Sequence, residues 1–390
     1  MKYKTVKLGE YLYIKGRIGW KGLKKNEYLQ HSDYRIINGE SLTDDGIDWS
    51  KAGYITKERY DESPEIMLQE GDILVSKDGT IGKIGYITSL DTPTTVASGI
   101  FVIRNLNPEL IDTRFIYNFL CSKRFKDFIT MRTEGSVIPH LYQKDFVELD
   151  FTLPPIDEQR RIVSILDTIS SKIDLNKAIN NNLEQQAQAL YAEMFQSEDN
   201  EQWDIGVLGD IADVTMGQSP SGSSYNEDGI GTIFFQGRAE FGFRFPTVRL
   251  FTTEPKRMAS ANDVLMSVRA PVGDLNVARE DCCIGRGLAA IHSNDNHQSY
   301  VLYTMFALRP ELDVFNGEGT VFGSINKNSL NAMPIKLPPK ELIDKFEAIV
   351  SPMDALIRNN NDEICHLQSL RDSLLPRLMS GEIDVSDIEL

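Results

Sequence analysis

The chain has 390 residues, of which 41% are hydrophobic and 9% aromatic, and a formal net charge of −16. That composition excludes extensive disorder, no apolar run approaches the roughly 18–20 residues of a membrane span, and the start "MKYKTVKLGEYLYIKG" has no signal-peptide core, so a folded, cytoplasmic protein with no membrane partner is expected. The length predicts at least two large units, and Cys121, Cys282, Cys283 and Cys365 contain no C-x-x-C, which fits free thiols rather than zinc or a disulfide framework.

A first globular unit is expected over 1–152. It opens basic, with nine Lys or Arg against three acids in residues 1–35, so a local positive field survives the acidic total. "VKLGEYLYIKG" (6–16) carries a Leu-Gly-acid with a Gly a few residues on, "EGDILVSKDG" (70–79) contains a short β-branched, strand-like run bounded by turn formers, and "DTRFIYNFLCSKRFKDFI" (112–129) reads as helix. Leu-Pro-Pro then opens a helical spacer over 153–197: Pro155 suits the first helical position, and Asp157 and Glu158 suit the positive end of the dipole. Ile162, Leu166, Ile169, Ile173, Asn176, Asn180, Leu183, Ala187, Leu190 and Met194 follow at alternating steps of four and three, the spacing of a coiled-coil seam.

The text then repeats. "GVLGDIADVTMG" (206–217) parallels 6–16, "ANDVLMSVRA" (261–270) parallels 70–79, and "GEGTVFGSINKNSLNAMPIKLPP" (317–339) parallels "TEGSVIPHLYQKDFVELDFTLPP" (133–155). Offsets of 200, 191 and 184 are expected if loops vary in length within one duplicated unit. A second globular unit over 198–336 is predicted, with a helix at "HQSYVLYTMFAL" (297–308). A second helical spacer and acidic tail fill 337–390, with seam residues Phe346, Met353, Ile357, Asn360, Leu367, Leu374 and Leu378. Pro352 is expected to break this helix, leaving its main run from about Pro352 to Ser380.

The fold class is α+β: two mostly β domains of antiparallel sheet, joined and separated by two long antiparallel coiled-coil helices with an internal pseudo-twofold. Asn176 and Asn360 lie 184 apart; a buried Asn–Asn contact there sets the register, unless both face solvent. A helix of about 28 residues spans about 42 Å, close to one DNA turn.

The doubled order of unit and helix, Leu-Pro-Pro-x-x-E-Q at 153–159, "GSVIPHLYQKDF" (135–146) with "GTVFGSINKNSL" (319–330), and the ending "LLPRLMSGEIDV" (374–385) resemble the DNA-specificity subunit of type I restriction–modification systems. The second copy departs from the pattern, with Lys340, Glu341 and Leu342 and no Glu-Gln pair. The resemblance implies that each globular unit is a target-recognition domain reading half of a split double-stranded DNA sequence. It implies that the helices set the gap and dock two modification (methyltransferase) subunits, through which restriction subunits join. No cofactor is then bound by this chain; S-adenosylmethionine, Mg and ATP belong to the partners.

Readout of bases needs Arg or Lys for guanine and Asn or Gln for adenine. In the first domain Arg17, Trp20, Lys21, Lys24 and Lys25 are candidates, or simply a solvated basic hairpin. Lys77, Thr80 and Lys83 in "SKDGTIGKIG" (76–85) resemble a phosphate cradle without being a P-loop, and Ser136 and His140 precede the helix. In the second domain Gln218, Ser219, Arg238, Arg244, Arg269, Arg286, Thr320 and Lys327 are candidates; ion pairs with Glu240, Asp263 or Asp274 are the competing use of its arginines. Neither Asp/Asn-Pro-Pro-aromatic nor Gly-x-x-x-x-Gly-Lys-Ser/Thr occurs, as a non-catalytic recognition subunit requires. The alternative is a duplicated DNA-cleaving or DNA-modifying enzyme acting alone.

Overall fold

A computed structural model describes residues 3–43, 46–133, 140–197, 202–317 and 323–388, with the side chains of Trp20 and Thr133 also outside the description. The chain divides into two compact units, Met1–Leu175 with Glu363–Leu390, and Asn176–Asp362.

In unit 1 a four-stranded antiparallel sheet runs in the order Leu12–Gly16, Ile100–Asn105, Ile73–Ser76, Ile84–Tyr86. Side chains alternate across a strand, so Ile73, Val75, Phe101 and Ile103 enter one core while Leu74, Ile100 and Val102 enter another. Both faces are covered, which explains why the central strand Ile73–Ser76 is buried throughout. The first core is closed by helices Thr113–Cys121 and Lys123–Thr133, through Phe115, Phe119 and Phe125. The single helix expected over 112–129 is thus two. Ser122 leaves the helical conformation, and its Oγ accepts the Phe125 N–H at 3.4 Å. The second core lies toward a small mixed sheet of Gly53–Tyr54, Arg35–Ile37 and Thr94–Val96, whose last two strands pair in parallel.

Unit 2 repeats this plan. Ala212–Met216, Leu288–Ser293, Val264–Ser267 and Leu275–Val277 form the same antiparallel order, and Val264 and Met266 face one core while Leu265 faces another. The accompanying five-stranded sheet again contains one parallel pair, Thr232–Phe235 with Cys282–Ile284. In each unit the first strand pairs with the strand entering Leu-Pro-Pro: Lys4–Lys7 with Asp150–Leu153, and Ile205–Val207 with Pro334–Lys336.

Two long helices follow, Ile156–Phe195 and Lys340–Ser380. Each is started by a proline carbonyl: Pro155 O accepts from Glu158 N and Gln159 N at 3.0 Å, and Pro339 O from Leu342 N at 3.0 Å. Gln159 is fully buried and ties the turn to the domain through Leu110 O, Pro154 O and Asp112 N. Ile343 takes its repeat position, and Glu347 supplies the anchoring instead, accepting from Ser299 N at 3.2 Å and Tyr300 N at 3.0 Å. This compensates for the missing Glu-Gln pair.

The helix segments run antiparallel within each unit. In unit 1 Ile162 and Leu166 share a core with Leu375 and Leu378, and Lys172 pairs with Glu363 at 3.3 Å. In unit 2 Tyr191 and Phe195 meet Phe346, with ring centroids 5.7 and 5.3 Å apart. The outer ends of the helices are therefore part of the domain cores, not spacers distinct from them. Of the seam residues, Ile162, Ile173, Asn176, Phe346 and Ile357 are buried, and Ile169, Leu183, Leu190, Met353, Asn360, Leu367 and Leu374 are half-buried.

Two expectations about the helices are corrected. Asn360 does not pair with its repeat equivalent Asn176: its Nδ2 donates to Asn180 Oδ1 at 2.8 Å, and Asn180 Nδ2 donates to Ile357 O at 3.4 Å. Antiparallel helices juxtapose residues whose numbers sum to a nearly constant value, not residues related by the repeat. Pro352 does not break the second helix, which continues through it. Proline costs an interior helix about 3 kcal/mol, but Pro352 and Ala348, whose carbonyl loses its donor, both face solvent. On the opposite side Phe346, Val350 and Ile357 are buried, each worth about 1.5–3 kcal/mol. Among the described residues no helix is long and apolar enough to cross a membrane, and none of the four cysteines forms a disulfide.

Candidate nucleic-acid interface

The turn joining the inner strand Ile73–Ser76 or Val264–Ser267 of each sheet to its edge strand, Ile84–Tyr86 or Leu275–Val277, is held by a serine. Ser76 Oγ donates to Thr80 O (2.6 Å) and accepts from Lys83 N (2.9 Å). Ser267 Oγ donates to Pro271 O (2.7 Å) and accepts from Asp274 N (2.9 Å). Gly82 and Gly273 then take φ of +87° and +90°, a region that favours glycine, and their N–H groups donate to Ser76 O and Ser267 O at 3.0 Å. Neighbouring segments are fastened alike: Lys77 N to Gly99 O and Leu141 N to Lys77 O in unit 1, Val268 N to Gly287 O and Ile325 N to Val268 O in unit 2. Each unit thus carries a rigid platform of the strand turn, the loop before the next strand and the segment before the short helix.

In unit 1 Lys77 lies half-buried beside this turn, its Nζ 4.9 Å from the Phe101 ring centroid, and burial pushes its ammonium below the usual lysine value. An arriving phosphate would restore what burial removes. Thr80 is exposed and Lys83 half-buried. His140 touches the Asp78 carboxylate through Nδ1 and meets Tyr142 edge-on at 4.5 Å. Lys24 and Lys25 are exposed, whereas Lys21 Nζ is committed to Glu62 O at 2.6 Å. Arg17 is the clear correction: only 2% exposed, it donates to Val96 O, Ser63 Oγ and Thr95 Oγ1 and braces the interior of the domain. The Trp20 side chain, Ser136 and Thr320 lie outside the described residues.

In unit 2 Gln218 is exposed, and Ser219 Oγ accepts from Arg286 N at 3.3 Å. The backbones converge tightly here, since a Cβ on Gly285 or Gly287 would come within 2.8 or 2.9 Å of Gln236 O. Arg269 and Arg286 are exposed, and neither side chain has an ion pair among the described residues. Arg238 is exposed but held by Asp274, which also pairs with Arg309 at 2.9 Å. Lys327 lies 3.6 Å from Asp213.

Arg244 is the second correction. It is 4% exposed and bonded to Glu184, Asp354 and the Tyr303 hydroxyl, joining its loop to both long helices. Burial opposes its charge, but Tyr303, Asp354 and Glu184 outweigh that and raise its pKa. Two half-buried carboxylates share this one cation, so desolvation prevails for them and both Asp354 and Glu184 sit above the usual carboxylate range. Of the acids expected to compete for these arginines, Asp274 claims Arg238; Arg244 is claimed instead by Glu184 and Asp354, two helix acids outside that expectation. Asp78, exposed on the unit 1 turn, aligns with Arg269 at the 191-residue offset of the repeat. Among the described residues no cluster of His, Cys, Asp and Glu could hold a metal ion.

A family model described as the type I restriction modification DNA specificity domain matches the chain twice, over residues 1–185 and 200–366. The MjaX specificity subunit of a type I restriction enzyme from Methanocaldococcus jannaschii is 30% identical over 388 residues, covering 93% of this chain and 90% of that one. The MjaIX specificity subunit of the same organism is 23% identical, covering 86% and 82%. The crystal structure of a type I restriction–modification S subunit from M. genitalium shares the fold, with a TM-score of 0.54, 17% identity and coverage of 97% and 96%.

Proposed function

The chain belongs to the family of type I restriction modification DNA specificity domains, and from that premise we propose that it is the DNA-recognition subunit of a type I restriction–modification enzyme. Each domain reads one half of a split double-stranded target through its turn platform. The long helices set the run of unread base pairs and dock two modification subunits, through which restriction subunits join. The chain performs no catalysis itself; S-adenosylmethionine, magnesium and ATP are held by the partners. One observation carries this reading: the same platform, bond for bond, occurs in both units. Enzymes rarely need two copies of a site within one chain, but a reader of two half-targets does.

Inserting one heptad into both long helices keeps the seam in phase. It lengthens each by about 10 Å, or roughly three base pairs. The spacing between half-targets should widen accordingly, read by selecting bound duplexes from a library of spacer lengths. An unchanged spacing contradicts the role given to the helices.

A further inference from the structure

The two turn platforms are nearly identical in backbone and opposite in what they hold out. Four hydrogen bonds of the Ser76 turn recur in the Ser267 turn within 0.1 Å: 2.6 against 2.7 Å to the turn carbonyl, 2.9 against 2.9 Å from the far amide, 3.0 against 3.0 Å from the left-handed glycine, and 3.0 against 2.9 Å across the turn. Under this alignment, offset by 191 residues (267 against 76), Asp78 coincides with Arg269. The surroundings agree: Asp78 touches His140, and Arg269 forms a β-bridge with Ser324, which is the repeat equivalent of His140 at an offset of 184 (324 against 140). Both side chains are exposed, Asp78 at 44%.

Resting on the recognition reading above, we propose that residues 78 and 269 are the same base-reading position in the two domains: Asp78 accepts a hydrogen bond from an exocyclic base amino group, cytosine N4 or adenine N6, and Arg269 donates to guanine O6 and N7. His140 engages one carboxylate oxygen of Asp78, Oδ1; because a carboxylate repels phosphate, the other can serve DNA only as an acceptor from a base donor, while arginine's fork matches the two guanine acceptors. Lys77 and Lys83, flanking Asp78 on the same turn, offset its repulsion of the backbone. A shared platform bearing opposite heads allows two domains of one ancestry to read different half-targets.

The test uses the full chain with its modification subunits and duplexes randomised in both half-targets. Asp78→Ala should reduce discrimination roughly 5- to 150-fold at one position of one half-target, where cytosine or adenine is preferred, and leave the other half untouched. Which of the two bases loses its advantage identifies the amino group. Asp78→Arg should move that position to guanine. Asp78→Asn keeps the shape of the turn and should move a cytosine position toward adenine or hold an adenine one, so with Asp78→Arg the test stands even if the alanine variant folds poorly. Arg269→Ala should relax a guanine position in the opposite half. A uniform gain in affinity across all sequences in Asp78→Ala, or preferences unmoved in all four variants while the unmodified chain still selects a split target, overturns the proposal. An unmodified complex with no half-target preference overturns the recognition reading instead, and this proposal with it.

Discussion

Arg244→Ala is expected to lower the unfolding free energy of unit 2 by about 3–5 kcal/mol, the cost of removing one partner from a buried charge cluster. The substitution deletes bonds of 3.1 Å to Glu184 Oε2, Asp354 Oδ1 and the Tyr303 hydroxyl and leaves two carboxylates facing each other. The loss should depend on pH. Burial already raises Asp354 and Glu184 above their ordinary values, and Arg244 is what draws them back down. Without it both rise further, and an acid raised in the folded state favours folding below its unfolded pKa and loses that contribution as pH climbs through the folded value. The deficit should therefore be largest once pH exceeds the raised folded values of both carboxylates and shrink as pH falls to the ordinary carboxylate value of about 4. Denaturant titrations across that range check it; full stability at neutral pH would return Arg244 to the candidates for DNA contact.

Arg17→Ala is expected to cost about 2–3 kcal/mol of unit 1 stability, since it strips a charged donor from Val96 O and leaves Ser63 and Thr95 with one partner fewer in a dry site. Arg17 stays a cation across ordinary pH, although burial and then Arg59 push its pKa down, so this loss should be flat with pH. Thermal unfolding, paired with DNA selection at a temperature where the variant is folded, separates the two roles. An unchanged melting point with relaxed readout of one half-target would contradict the bracing role.

These two arginines show where sequence reasoning stops. Charge pattern marks Arg17 and Arg244 as well placed for DNA, but burial depends on the strands and helices that close over them, and those contacts join residues 79 and 110 positions apart. The repeat was legible because duplicated turns must keep their turn chemistry: Ser76 and Ser267, and Gly82 and Gly273, survive where the residues between them diverge. The seam was legible because its spacing is set by helix geometry alone. The partner of Asn360 was not, because the repeat offset points to Asn176 while antiparallel pairing selects Asn180. Continuity through Pro352 was equally hidden, since it depends on which side of the helix is buried.

Methylome sequencing of cells carrying this chain with its modification subunit tests the central claim most directly. Two short specified blocks separated by a fixed run of unspecified bases should be methylated, and the pattern should vanish when the chain is deleted. A continuous motif, or an unaltered methylome after deletion, would contradict the account.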